Sequence, residues 1–122
     1  MLGGPFFDTN IVVDWLRRRD QAADELARYT RHRISRITWA EILAGEPVDT
    51  REQVRSMISR FTVVEVDEEI AATAADIRHR TRLKLLDALI LATAQSKGAI
   101  LVTRNTRDFP PQMPGIRVPY TL

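Results

Sequence analysis

Four acids stand where apolar segments begin or end, and a fold could bring them to one place. Asp8 follows Phe6-Phe7, Glu41 follows the segment Arg33 to Ile37, Asp108 follows Ala99 to Val102, and Asp87 sits near the start of an apolar helix. Hydroxyl and amide side chains accompany them: Thr9 and Asn10 beside Asp8, Ser35 and Thr38 before Glu41, and Thr103 and Asn105 before Asp108. Crowded carboxylates repel one another and raise each other's pKa unless a cation lies between them. Oxygen donors without histidine or cysteine suit Mg2+, with Mn2+ as a substitute. The chemistry expected of such a cluster is metal-assisted hydrolysis, in which a cation acidifies water and neutralises developing negative charge.

Each acid also has a purely structural reading. Asp8 could cap the helix that follows it. Glu41, three residues after Thr38, could close a capping box. Asp87 could complement the dipole in the first turn of its helix, and Asp108 could stabilise a turn before Pro110. What favours chemistry is that all four fall at one edge of the expected sheet.

Other catalytic designs fit less well. The chain has no cysteine, which excludes disulfides, thiolate metal sites and a thiol nucleophile. His32 and His79 are the only histidines; neither lies in a motif, and both are expected to be surface or stacking residues. Ser35 lacks a nucleophile-elbow pattern, and no glycine-rich phosphate loop is present.

The elements that must position the acids can be read from apolar spacing and punctuation. The 122 residues, 44% hydrophobic and 28% charged, are expected to form one domain spanning residues 1–122. Phe6-Phe7 reads as a strand, followed by an amphipathic segment Ile11 to Arg18. Asp20 is expected to cap a helix over Gln21 to Thr30. Arg33 to Ile37 reads as a strand and Thr38 to Ala44 as a helix stopped by Gly45 and Pro47. Thr50 and Gln53 resemble a capping box for a helix reaching Arg60. Phe61 to Val66 reads as a strand; Asp67 caps a helix carrying Ile70, Ala74 and Ile77 at helical spacing. A helix follows from about Leu85 to Lys97, ended by Gly98. Ala99 to Thr103 reads as a buried strand and Ile116 to Val118 as the last one. Alternating strands and helices imply an α/β fold, a three-layer α/β/α sandwich around a mainly parallel sheet, with ligands bound beyond the strands' C-terminal ends.

The formal net charge is +2, and all basic residues but Lys84 and Lys97 are arginine. Arginine forks match phosphate oxygens, so Arg36, Arg82, Arg104 and Arg107, all near the acids in sequence, are candidate RNA contacts. The first residues lack a secretory pattern, and the longest apolar run, Leu85 to Ala94, is interrupted by Asp87 and too short for a bilayer. A soluble cytoplasmic protein without a membrane partner is expected.

Four blocks in order carry a resemblance: Phe-Asp-Thr-Asn-Ile-Val-Val-Asp (7–14), Ser-Arg-Ile-Thr-Trp-Ala-Glu-Ile (35–42), Leu-Asp-Ala-Leu-Ile-Leu-Ala-Thr-Ala (86–94) and Leu-Val-Thr-Arg-Asn-Thr-Arg-Asp-Phe (101–109). Together they resemble the PIN-domain ribonucleases and, within them, the VapC-like toxins of type II toxin–antitoxin systems. The resemblance implies a Mg2+-dependent endoribonuclease with Asp8, Glu41, Asp87 and Asp108 as its catalytic, metal-holding quartet. Asp8 and Asp87 are the firmest ligands by this likeness. The family varies over which position near Asn105 and Asp108 carries the last acid. A cognate antitoxin and a homodimer are implied as partners, with a shortened dimerisation arm between Glu41 and Thr50. The substrate expected is single-stranded or loop RNA, since duplex RNA hides its base edges. Two other functions compete. One is a non-catalytic RNA-binding module. The other is a haloacid-dehalogenase-like phosphatase with Asp8 as nucleophile, although Asn10 stands where that family has a second aspartate.

Overall fold

Phe6 and Phe7 are both fully buried, yet as successive residues of a strand they point to opposite faces. Each face therefore needs its own cover. In the computed structural model, which describes residues 3–122, β1 (Phe6–Phe7) lies at the centre of a five-stranded sheet with β2 (Arg33–Ser35), β3 (Thr62–Val64), β4 (Leu101–Val102) and β5 (Ile116–Arg117). Strand order is β3-β2-β1-β4-β5 and every pairing is parallel. The helices are α1 (Thr9–Leu16), α2 (Asp20–Ala27), α3 (Arg36–Ala44), α4 (Val48–Ile58), α5 (Glu68–Arg80) and α6 (Leu85–Ser96).

Phe6 and Leu101 pack with Ile70, Ala74 and Ile77 of α5 and with the apolar stripe of α6. Phe7 and Val102 pack on the other side with Ile11, Val12, Leu26, Ile42, Val54 and Ile58, from α1 to α4. This is the expected α/β/α sandwich. The chain moves outward from β1 to β3, then crosses back over β1 to reach β4. That reversal opens a crevice beyond the C-terminal ends of β1 and β4, the place where such sheets bind ligands. Asp8 and Thr103 are the next residues on those two strands.

Local chemistry shifts several expected boundaries. Ser35 caps α3, its hydroxyl accepting from the Ile37 amide at 3.1 Å, so the helix starts at Arg36 and the strand stops at Ser35. Thr38 consequently lies inside the first turn, and the alternative of a capping box between Thr38 and Glu41 is not realised. Asp20 opens α2 as a helical residue behind Arg19, without a side-chain cap. Pro47 precedes α4, and Thr50 donates instead to Glu46 Oε1 at 2.6 Å, so Thr50 and Gln53 make no capping box. Ala99 is withheld from β4 because its amide donates to Ala94 O at 3.0 Å, completing the end of α6. Gly98 supplies the positive φ of 62° that this turn requires. Asp67 caps α5 as expected, accepting from Ile70 N at 2.8 Å. No helix among the described residues is long and apolar enough to cross a membrane.

Trp15 of α1 packs edge-to-face on Phe61 with ring centroids 5.5 Å apart, and the Arg60 guanidinium lies over its indole at 5.1 Å. It is a half-buried packing residue of this layer. Trp15→Ala is expected to cost about 2 kcal/mol of stability, read as a lower denaturant midpoint. Unchanged stability together with weakened RNA binding would assign the ring to base stacking instead.

Candidate active site

The parallel register sets Asp8 beside Thr103. Asp8 N donates to Val102 O at 2.9 Å, which brings the Thr103 hydroxyl to Asp8 Oδ2 at 2.8 Å. Asp8 also caps α1, accepting from Thr9 N at 2.8 Å through Oδ1, and Oδ2 takes a further bond from Asn10 Nδ2 at 3.2 Å. Three of a carboxylate's roughly four acceptor positions are therefore filled, and the group is 3% exposed. The Thr9 hydroxyl donates to Glu41 Oε1 at 2.5 Å and lies 3.3 Å from the Thr38 hydroxyl, which ties α3 to the start of α1. Asp108 accepts from Asn105 Nδ2 at 2.9 Å, and its own amide donates to Asn105 Oδ1 at 3.3 Å. Asn105 thus holds the turn, and the Asp108 carboxylate keeps free acceptor positions. Phe109, fully buried against α6, anchors this loop.

Asp87 completes the set from the first turn of α6. Burial, followed by the charges of Asp8, Asp108 and Glu41, pushes its carboxyl up to about 6, with Lys84 opposing weakly. The Asp8 carboxyl is also raised: burial and the Glu41 charge outweigh its three hydrogen bonds. The charges of the other three expected acids therefore reach Asp87, and that of Glu41 reaches Asp8. None of them makes a salt bridge among the described residues. Ser35 stands slightly apart: it caps α3 and lies 3.5 Å from the Thr93 hydroxyl of α6.

The donor set is chemically right for a hard divalent cation, being oxygen throughout and short of positive charge. No group of three or more acidic or imidazole side chains among the described residues forms a ready-made cation cage. Asp8 is engaged with three donors and Glu41 with Thr9, so ion binding would have to compete with bonds already made.

The four candidate RNA arginines separate into two pairs. Arg104 is committed to Asp14, with Nε to Oδ2 at 2.6 Å and Nη2 to Oδ1 at 3.0 Å. Arg36 forks onto Glu65 and lies over the Trp39 ring at 4.6 Å. Arg82 and Arg107 are exposed and make no hydrogen bond or ion pair among the described residues. Of the histidines, His79 is exposed on α5, while His32 packs on Phe7 and Phe61 with Nε2 at 2.7 Å from Leu26 O. A carbonyl can only accept, so Nε2 carries the proton.

Sequence reasoning passed over Asp14. It is fully buried on α1, one turn beyond Asn10, and receives Arg104, the Tyr120 hydroxyl at 2.8 Å and, at 3.8 Å, Arg19. Burial pushes its carboxyl up, but the bonds from Arg104 and Tyr120 and the arginine charges outweigh this and hold it below its ordinary value. Asn10 acts with it, accepting from Arg104 N at 3.2 Å and donating to Thr103 Oγ1 at 3.3 Å. The helix that presents Asp8 is thereby clamped to the loop that presents Asp108. The one signal available was an acid on the apolar face with Ile11 and Val12.

An open parallel sheet with acidic side chains gathered near its switch point defines the class: an α/β domain with an acidic candidate site. Comparison with known proteins narrows it. A family model described as "PIN domain" matches residues 6–110. Ribonuclease VapC19 of Mycobacterium tuberculosis is 32% identical over 122 residues, covering 93% of this chain and 97% of that protein. The tRNA(fMet)-specific endonuclease VapC of Salmonella typhimurium is 29% identical over 123 residues, covering 91% and 92%. Among solved structures, a toxin–antitoxin complex from Klebsiella pneumoniae superposes with a TM-score of 0.91 at 36% identity, over 98% of this chain and 100% of that one. The chain belongs to the PIN-domain family, in its VapC-like branch.

Two measurements probe the site without activity. Arg104→Ala strands a buried carboxylate and is expected to cost about 3 kcal/mol; a variant as stable as the parent would make Arg104 available again as an RNA contact. For Asp87 the sign follows from linkage. Its raised folded pKa means that the proton is held more tightly in the folded chain, so ionisation penalises folding as pH rises from about 4 through about 6. Asp87→Asn removes that penalty. In metal-free protein the variant should melt above the parent at pH 7, with the gap closing near pH 4, and Mg2+ should narrow the gap at pH 7 by stabilising the parent. A gap independent of pH would disprove the repulsion.

Proposed function

We propose that the chain is a divalent-metal-dependent endoribonuclease, the toxin component of a toxin–antitoxin pair, acting on single-stranded or loop RNA. The observation that carries this is the group of four carboxylates without a salt-bridge partner among the described residues, in which Asp87 is pushed to about 6 by burial and its acidic neighbours. Such a grouping is unfavourable unless positive charge lies within it. The names of its relatives as ribonucleases support the substrate class.

Asp8 and Asp87 would hold Mg2+, or Mn2+ in its place, with Glu41 and Asp108 holding a second ion or orienting water. The bound ion would acidify a water molecule and neutralise charge on the scissile phosphate. The chain's own contribution is positional. Thr9, Asn10 and Thr103 fix both oxygens of Asp8, Thr9 holds Glu41 toward it, and Asn105 sets Asp108. The rival readings have less support. A pure RNA-binding module would leave the acidic basin without a purpose and has Arg36 and Arg104 already engaged. A phosphatase nucleophile would have to free itself from Asn10.

A cognate antitoxin, a homodimer and a cytoplasmic setting complete the proposal. The similarity to a toxin–antitoxin complex supports the first. A groove lined by Val13, Leu16, Ile42, Val54 and Met57 runs to Glu41. Val48 and Met57 lie 75% and 40% exposed on α4. An apolar antitoxin segment would seat there and bring an arginine to the acids.

Cleavage of a single-stranded RNA in Mg2+ is the decisive assay. EDTA and Asp8→Asn should each abolish strand scission while the fold survives. Glu41→Gln should slow cleavage about a hundredfold, with little loss of stability and partial recovery at high Mg2+ or Mn2+. Cleavage in EDTA would overturn the metal requirement, and full activity of Glu41→Gln at low metal would leave three acids in the site.

A further inference from the structure

Beside the acids lies a cavity that shares Asp108 with them and is otherwise unused by the carboxylate chemistry. The segment entering α6 and the loop after β4 enclose about 260 Å³, lined by Thr81, Arg82, Leu83, Arg107, Asp108, Pro110 and Met113. This is slightly below the size of pockets that take drug-like ligands, and it suits one ring system rather than a base pair. Leu83, Pro110 and Met113 give it apolar walls, Leu83 being 3% exposed. The Thr81 hydroxyl is already engaged, donating to Ile77 O at 2.7 Å and accepting from Leu83 N at 3.1 Å. The free polar groups are the two guanidinia and the Asp108 carboxylate.

Arg82 and Arg107 are the two candidate arginines without a partner among the described residues, and both line this cavity. A guanidinium plane stacks on aromatic rings and forks onto base acceptors or phosphate oxygens. Leu85 and Leu86, exposed at 52% and 49%, continue the same segment from Leu83 toward Asp87. Apolar walls, two planar cations and an opening onto Asp108 match a nucleobase attached to a phosphate that reaches the acids.

We propose that this cavity binds one unpaired base of the RNA, on a nucleotide next to the scissile phosphate, with Arg82 and Arg107 holding the base and its flanking phosphate. The proposal rests on the nuclease reading for the identity of the ligand. It makes this pocket a determinant of which single-stranded position is cut.

The test pairs a protein change with an RNA change. A short single-stranded RNA is scanned with one abasic nucleotide at successive positions, against the parent and against Arg82→Ala/Arg107→Ala. Both residues are exposed, so the double variant should keep the parent's melting temperature. One abasic position should lower kcat/KM of the parent about tenfold. The same abasic RNA should cost the double variant little more, because the lost contact is the same one. Binding of the same RNAs to the Asp8→Asn chain, read by fluorescence anisotropy, should repeat the pattern without cleavage. Binding that shows the pattern while the parent cuts no RNA would uphold the pocket and sink the nuclease reading. A double variant that binds and cuts as the parent does, or that retains the full abasic penalty, overturns the proposal. So does a double variant that handles RNA as the parent does and loses only the binding of a protein partner.

Discussion

The burial of the Asp8 carboxyl organises this molecule. The group is 3% exposed and makes no salt bridge among the described residues, so the fold must supply hydrogen bonds for nearly every lone pair. Thr9 N, Asn10 Nδ2 and Thr103 Oγ1 do so, and each comes from a different structural decision. The start of α1 gives the first, a helical side chain gives the second, and pairing of β1 with β4 gives the third. Even so, burial and Glu41 leave the carboxyl raised. Its surroundings stabilise the group without neutralising it, and the remaining imbalance is what a cation would relieve.

Asp14 shows the opposite solution, on the same helix. It is equally buried, yet two guanidinium bonds, a phenol hydroxyl and a second arginine hold its carboxyl below the ordinary value. Glu25 repeats this with Arg117 forked onto it at 2.7 and 2.9 Å and the Tyr29 hydroxyl at 3.0 Å. Asp14 and Glu25, buried in the scaffold, each receive arginine; Asp8 receives only neutral donors. The contrast between arginine-paired Asp14 and Glu25 and unpaired Asp8 marks Asp8 as a candidate site residue more sharply than burial does.

The allocation of arginine follows from the same division. Arg104 and Arg117 are consumed by buried acids and lock α1 and α2 to the far side of the sheet, while Arg36 is held by Glu65 and Trp39. Arg82 and Arg107 remain in solvent beside Asp108. Of the four arginines nearest the acids, two are therefore engaged and two are left without a partner among the described residues.

Much of this was legible without coordinates. Apolar runs and their punctuation implied the α/β/α sandwich, and the four sequence blocks marked Asp8, Glu41, Asp87 and Asp108, because strand ends and helix starts are written in local residue types. Boundaries proved less legible. Ser35 rather than Thr38 caps α3, and Ala99 belongs to the end of α6, since either choice satisfies local propensity and only the hydrogen bonds actually formed decide. Pairings distant in sequence were not legible at all. Asp14 and Arg104 are 90 residues apart, and Asp8 and Thr103 are 95. Nothing in either local stretch distinguishes an arginine that will meet a buried acid from one that will meet solvent. The sequence by itself determined which residues could do the chemistry. The tertiary structure alone decided which charges were neutralised and which were left exposed to one another, because pairing energy depends on distance across the sheet and not along the chain.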